Sequence, residues 1–169
     1  IGNTARRYAQ AFYDKLDFDA LTVAPYMGRD SVEPFLEHAG KWAILLALTS
    51  NPGSADFQQM SENGEALHKR VMRISGTYAG HERLMYVLGA THPQAFEGLR
   101  AVAPNAFFLV PGVGAQGGDL AALSRAGMNA RCGLLVNSSR GILYADSGKD
   151  FAEAAREAAR SLQQQMDAL

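Results

Sequence analysis

Cysteine is almost missing from this chain: Cys132 stands alone among 169 residues, so no disulfide can form within it and no metal site can rest on thiolates. An excess of one charge sign is missing as well. With 16 basic against 17 acidic residues the formal net charge is -1, which leaves no global electrostatic footprint for nucleic acid. Long apolar runs are absent, since a stretch such as Ala43 to Leu48 is far short of a membrane span. No serine sits in a nucleophile elbow and no carboxylate pair stands out. His38, His68 and His81 share no metal-ligand spacing. No targeting peptide is visible. The expectation is a cytoplasmic protein with no nucleic-acid or membrane partner and no metal.

What the chain does have is 47% hydrophobic residues, enough for one packed domain over residues 1–169 and too few for two. Five short apolar runs recur along it: Ala20–Ala24, Trp42–Leu48, Leu84–Leu88, Phe107–Val110 and Gly133–Val136. Each reads as a buried strand. Helical spacing precedes the first and separates the rest, over about Thr4–Leu16, Asp30–Ala39, Glu65–Thr77, Pro93–Val102 and Leu120–Leu123, with an Ala-rich helix over Phe151–Leu162 at the end. Asn3 or Thr4 is the expected cap of the first helix, and Asp119 and Asp30 are expected caps of later ones.

Apolar strands alternating with helices mean a parallel sheet covered on both faces or a closed (β/α) barrel. The barrel is favoured because polar residues follow several successive strands, where an open sheet gathers them at one switch point. The fold class expected is therefore α/β, a (β/α)8 TIM barrel. This chain would supply about its last five strands and their helices, with roughly three strand-helix units lying before Ile1.

The chemistry concentrates after the last two strands. Phe107–Val110 runs into Pro111-Gly112-Val113-Gly114-Ala115-Gln116-Gly117-Gly118, and Gly133–Val136 runs into Asn137-Ser138-Ser139-Arg140-Gly141. A strand feeding a Gly-rich or Ser/Arg-rich loop presents backbone N–H groups to an anion. Two in succession suggest one phosphate held between adjacent strand ends. Arg140 is the leading candidate, because a guanidinium is always charged and its fork of donors matches phosphate. Gln116 and Gly117 would add an amide and a close backbone approach.

Ser50 and Asn51 could together donate to and accept from the edge of a heterocycle; a plain Asn-Pro-Gly turn is the alternative. His92 reads as a helix cap more readily than as a general base. Lys69, Arg70 and Arg73 read as a solvated helix face and Cys132 as an inert core residue. The residues describe a pocket without an obvious catalyst.

Together, Thr22-Val23-Ala24-Pro25-Tyr26-Met27-Gly28, Thr49-Ser50-Asn51-Pro52-Gly53, Leu109 to Gly118 and Val136 to Ile142 resemble the orotidine 5'-phosphate decarboxylase family in its longer bacterial form. The resemblance implies decarboxylation of orotidine monophosphate to uridine monophosphate in pyrimidine biosynthesis, by a cofactor-free homodimer. It implies that Gln116 and Arg140 hold the phosphate, with Gly117 in the same loop. Ser50 would face the pyrimidine with Asn51 beside it, Pro111 would line the base pocket, and Thr4 would reach toward the partner subunit's ribose. The family's catalytic Asp-x-Lys-x-x-Asp stretch, which would precede Ile1, is absent from these residues. These residues alone are therefore expected not to decarboxylate. The alternatives are another barrel enzyme acting on a sugar phosphate, or an inactive nucleotide-binding fragment.

Overall fold

A computed structural model describes residues 1–91, 93–113 and 119–169. The expectations placed on His92, Gln116 and Gly117 lie outside the described residues.

Five strands form one parallel sheet: β1 (Ala20–Val23), β2 (Trp42–Leu48), β5 (Leu84–Leu88), β6 (Phe108–Pro111) and β7 (Leu134–Asn137). Their spatial order, β1-β2-β5-β6-β7, follows the sequence without a reversal. Crossovers between parallel strands are right-handed, so an order that never reverses sends every helix to the same face of the sheet. A doubly wound sheet reverses direction and covers both faces. The architecture is thus part of a (β/α)8 barrel, and coverage on both faces does not occur.

Burial follows from this. Side chains alternate across a strand, and the set Ala43, Leu45, Ala47, Leu84, Tyr86, Leu88, Phe108, Val110 and Leu134 is buried beneath the helices. Against it pack Ala5, Ala9 and Tyr13 of the first helix, together with Phe35, Leu36, Met72, Phe96, Leu99 and Leu123. The opposite row, in the register Leu46–Val87–Leu109–Leu135, is less covered, and Leu135 is 47% exposed.

The helices are α1 (Gly2–Ala9), continued by a π-helical stretch over Gln10–Lys15, then α2 (Glu33–Leu36), α3 (Ser54–Phe57), α4 (Leu67–Ser75), α5 (Pro93–Val102), α6 (Leu120–Gly127), α7 (Ser139–Leu143) and α8 (Phe151–Asp167). Asp119 caps α6 as expected, its carboxylate accepting from the N–H groups of Ala121 and Ala122 at 2.9 and 3.1 Å. Neither Asn3 nor Thr4 caps α1, which starts one turn earlier from Ile1 with no side-chain cap. Pro34 sits in the first turn of α2, where its missing N–H costs nothing.

Ahead of α4 the chain makes a small antiparallel hairpin, β3 (Ser61–Glu62) and β4 (Glu65–Ala66). Its two turn residues, Asn63 and Gly64, have φ of 52° and 80°, the left-handed pair that a two-residue hairpin turn requires. The helix expected from Glu65 therefore begins at Leu67. Glu62 and Glu65 on the hairpin pair with Arg70 and Arg73 on α4, so that basic face is solvated as expected, and ion-paired.

Cys132 is exposed rather than core, with φ of 69° in a tight Asn129–Cys132 turn that closes by reciprocal backbone bonds of 3.0 Å. Among the described residues no helix is long and apolar enough to cross a membrane, and no cluster of three or more His, Cys, Asp or Glu could hold a metal ion.

Candidate functional site

All five strands point the same way, so their C-terminal ends open onto one rim. Two cavities lie there and share Pro111 as a common wall. One, of about 180 Å³, is lined by Pro111, Gly112, Val113, Asn137, Ser138, Ser139 and Arg140. The other, of about 620 Å³, is lined by Leu46, Thr49, Ser50, Asn51, Pro52, Val87, Thr91 and Pro111. The structure thus brings Ser50, Asn51, Pro111 and Arg140 to one rim. Thr4 lies apart, exposed on α1.

The smaller cavity is built by register. Pro111 and Asn137 are partners across β6 and β7, so the two strand ends finish side by side. Gly112 follows at φ 94°, a turn that a residue with a side chain rarely adopts. The stretch expected as a loop is instead wound into α7, which puts Arg140 in a first helical turn. Ser139 Oγ donates to Asn137 Oδ1 at 2.8 Å.

Arg140 is exposed, and among the described residues its guanidinium has no hydrogen-bond or ion-pair partner. Most other arginines do have one. Arg6, Arg29, Arg70, Arg73, Arg156 and Arg160 each meet a glutamate. No carboxylate lines either cavity among the described residues. One end of the rim therefore offers a free cation and the other only neutral groups.

The neutral end depends on a close approach. Gly89, just past β5, donates its N–H to Leu48 O at 2.7 Å, and a Cβ there would lie 2.2 Å from Ser50 Oγ and 2.8 Å from Ser50 N. Only glycine lets Ser50 settle against the neighbouring strand end. Ser50 Oγ is buried with no hydrogen-bond partner among the described residues, and a buried polar atom without a partner in a cavity wall fits a ligand or water bonding to it.

Nothing in the sequence points to Gln58, and Thr49 stands out only as part of the Thr49-Ser50-Asn51-Pro52-Gly53 stretch. The Thr49 N–H donates to Gln58 Oε1 at 2.8 Å, and Gln58 Nε2 donates to Thr49 Oγ1 at 2.9 Å. No local pattern marks a glutamine nine residues away as their partner; only the turn of α3 brings it back.

Comparison with known proteins agrees with this geometry. Residues 1–158 match the family described as "Orotidine 5'-phosphate decarboxylase / HUMPS family". The orotidine 5'-phosphate decarboxylase of Bacteroides fragilis is 57% identical over 167 residues, covering 98% of this chain and 61% of that protein. The chain thus spans about three fifths of the length of the curated relatives it matches. Among solved structures, Leishmania donovani UMP synthase superposes with a TM-score of 0.84 at 39% identity, over 96% of this chain and 36% of that one. Leishmania donovani OMP decarboxylase superposes with a TM-score of 0.80 at 36% identity, over 92% of this chain and 60% of that one. With the family match running over residues 1–158 and a relative 57% identical over 98% of the chain, the chain belongs to the orotidine 5'-phosphate decarboxylase family.

Proposed function

We propose that this chain forms the nucleotide-holding side of an orotidine 5'-phosphate decarboxylase, which converts orotidine monophosphate to uridine monophosphate. The observation that carries the reading is the division of the rim: an unpaired Arg140 at one end and a neutral cavity around Ser50 and Asn51 at the other. A nucleoside monophosphate has that same division, an anion at one end and an uncharged polar ring at the other.

In this reading Arg140 grips the 5'-phosphate, with Gln116 and Gly117 closing over it from the Gly-rich stretch. Pro111 forms a wall of the base pocket, and Ser50 and Asn51 meet the ring. Thr4 reaches the ribose in a partner subunit of a homodimer. Residues 1–169 form one domain of a cytoplasmic enzyme.

Binding the phosphate far from the reacting carbon contributes by positioning the ring and restricting its motion. Stabilising the carbanion left by departing carbon dioxide needs a fixed cation beside it. Among the described residues that line the two cavities the only one is Arg140, at the phosphate end. The family's Asp-x-Lys-x-x-Asp stretch is not among these 169 residues. They therefore bind and orient, and a polypeptide of residues 1–169 does not turn over substrate.

Calorimetric titration tests the assignment. Arg140→Ala is expected to weaken uridine monophosphate by about 10- to 100-fold, the worth of a charge-assisted bond to phosphate. Binding of uridine, which has no phosphate, should be unchanged. An equal loss for both ligands would remove Arg140 from the phosphate site.

A further inference from the structure

We propose that Gln58 sets the ring specificity of this site by a hydrogen-bond relay that fixes Asn51 as a donor; the inference rests on the nucleotide reading above. The relay starts from a group whose role cannot change. The backbone N–H of Thr49 can only donate, and it does so to the Gln58 side chain at 2.8 Å, so the atom it meets must be Oε1. That orients the whole Gln58 amide and turns Nε2 toward Thr49 Oγ1, to which it donates at 2.9 Å.

Thr49 Oγ1 accepts that bond and has one hydrogen left to give. Asn51 Oδ1 lies 2.5 Å away and Gln58 Oε1 lies 3.3 Å away, so the hydrogen goes to Asn51. That bond turns Asn51 Oδ1 toward Thr49 and Nδ2 away from it. The group Asn51 presents outward is then Nδ2, a donor with no hydrogen-bond partner among the described residues.

The anchor of the relay is itself tied down. Gln58 O accepts from the His68 N–H at 3.1 Å and lies 2.8 Å from His68 Nδ1, which must donate because a carbonyl only accepts. His68 is 8% exposed, so the chain from α4 through Gln58 and Thr49 to Asn51 has a buried foundation.

A ligand edge that meets Asn51 must then present a lone pair, as a ring carbonyl does. An exocyclic amino group at the same place would set donor against donor and leave both unpaired. Uracil and cytosine differ by this exchange at C4, and N3 changes with it from donor to acceptor; the exchange at C4 is the one an Asn51 donor reads. The relay thus favours the uracil ring.

The test compares dissociation constants of uridine and cytidine 5'-monophosphate for the protein and for three variants. The parent is expected to prefer the uridine nucleotide by about 10- to 100-fold, the penalty for a donor left unpaired. In Gln58→Glu both carboxylate oxygens accept from Thr49, which frees the Asn51 amide to turn over. The preference should fall to within about 3-fold while uridine monophosphate still binds.

Thr49→Val should behave in the same way, and Thr49→Ser, which keeps the hydroxyl, should restore the parental ratio. A local fold change alone would not follow the hydroxyl in this manner. Independently of any ligand, hydrogen exchange at the Thr49 N–H should be slowed, and Gln58→Ala should speed it about 10-fold or more. An unchanged ratio in Gln58→Glu and Thr49→Val, or an unprotected Thr49 N–H in the parent, overturns the relay and leaves the proposed function standing. Failure of both nucleotides to bind overturns the function, and the specificity with it.

Discussion

Arg100 shows how much one unremarked residue can hold. Its guanidinium lies 3.7 Å from the centre of the Phe108 ring and donates to the carbonyls of Gly127, Ala103, Ala106 and Gly133 at 2.6 to 3.0 Å. Those carbonyls belong to the end of α5, the last residue of α6 and the leads into β6 and β7. Burial pushes its pKa down to about 10, still charged at neutral pH. Arg100→Met would leave several carbonyls without donors, each costing about 1 to 3 kcal/mol. The expected loss is about 3 kcal/mol or more in urea unfolding, and a change under about 1 kcal/mol would show the carbonyls to be satisfied by water. Tyr13 makes a pH-dependent contribution. It is buried, donates to Trp42 O at 2.6 Å, and burial raises its pKa from 10.0 to about 12. A raised folded-state pKa means that the stabilisation is complete below pH 10 and is lost as pH climbs toward 12. Alkaline melts should show Tm falling across that window, with the fall shallower in Tyr13→Phe; parallel curves would exclude Tyr13.

At the scale of elements, the strands and the helix over Pro93–Val102 are legible in the sequence, and the hairpin ahead of α4 is not. Trp42–Leu48 and Leu84–Leu88 match the apolar runs residue for residue, because a buried parallel strand needs side chains apolar on both faces. The Asn63-Gly64 pair signals the Ser61–Ala66 hairpin, but the helical spacing of Leu67, Val71 and Ile74 continues backward through Glu65 and masks it. Tertiary ion pairs to α4 let so short a hairpin persist. Two substitutions check these local assignments by circular-dichroism melts. Asp119→Ala should cost about 1 kcal/mol through the lost cap of α6. Gly64→Val places a β-branched residue at φ 80° and should destabilise by about 1 to 2 kcal/mol, so an unchanged Tm would argue against the left-handed turn.

For the whole molecule, the sheet is covered by helices on one face only. In the row Leu46–Val87–Leu109–Leu135 on the other face Val87 is buried and Leu46 and Leu109 are half-buried, so the exposed apolar surface is at Leu135. A polypeptide of residues 1–169 is expected to enhance the fluorescence of an apolar-surface dye such as ANS. Leu135→Glu should reduce that signal without lowering Tm, since the side chain is already 47% in solvent. Undiminished dye binding would place the exposed surface elsewhere.

By itself the sequence determined the alternation of strand and helix, the parallel sheet, the Asp119 cap, and the candidates Ser50, Asn51 and Arg140. These follow from periodicity and from chemistry local to each strand end, whereas Pro111 came in only through the family resemblance. Only the tertiary structure decided that the strand order never reverses, that Cys132 lies at the surface, that Gly89 admits Ser50, that Arg100 joins four backbone segments and that Gln58 returns to orient Thr49. Each of these depends on which distant residues the fold brings within a few ångströms, and spacing along a chain does not encode that.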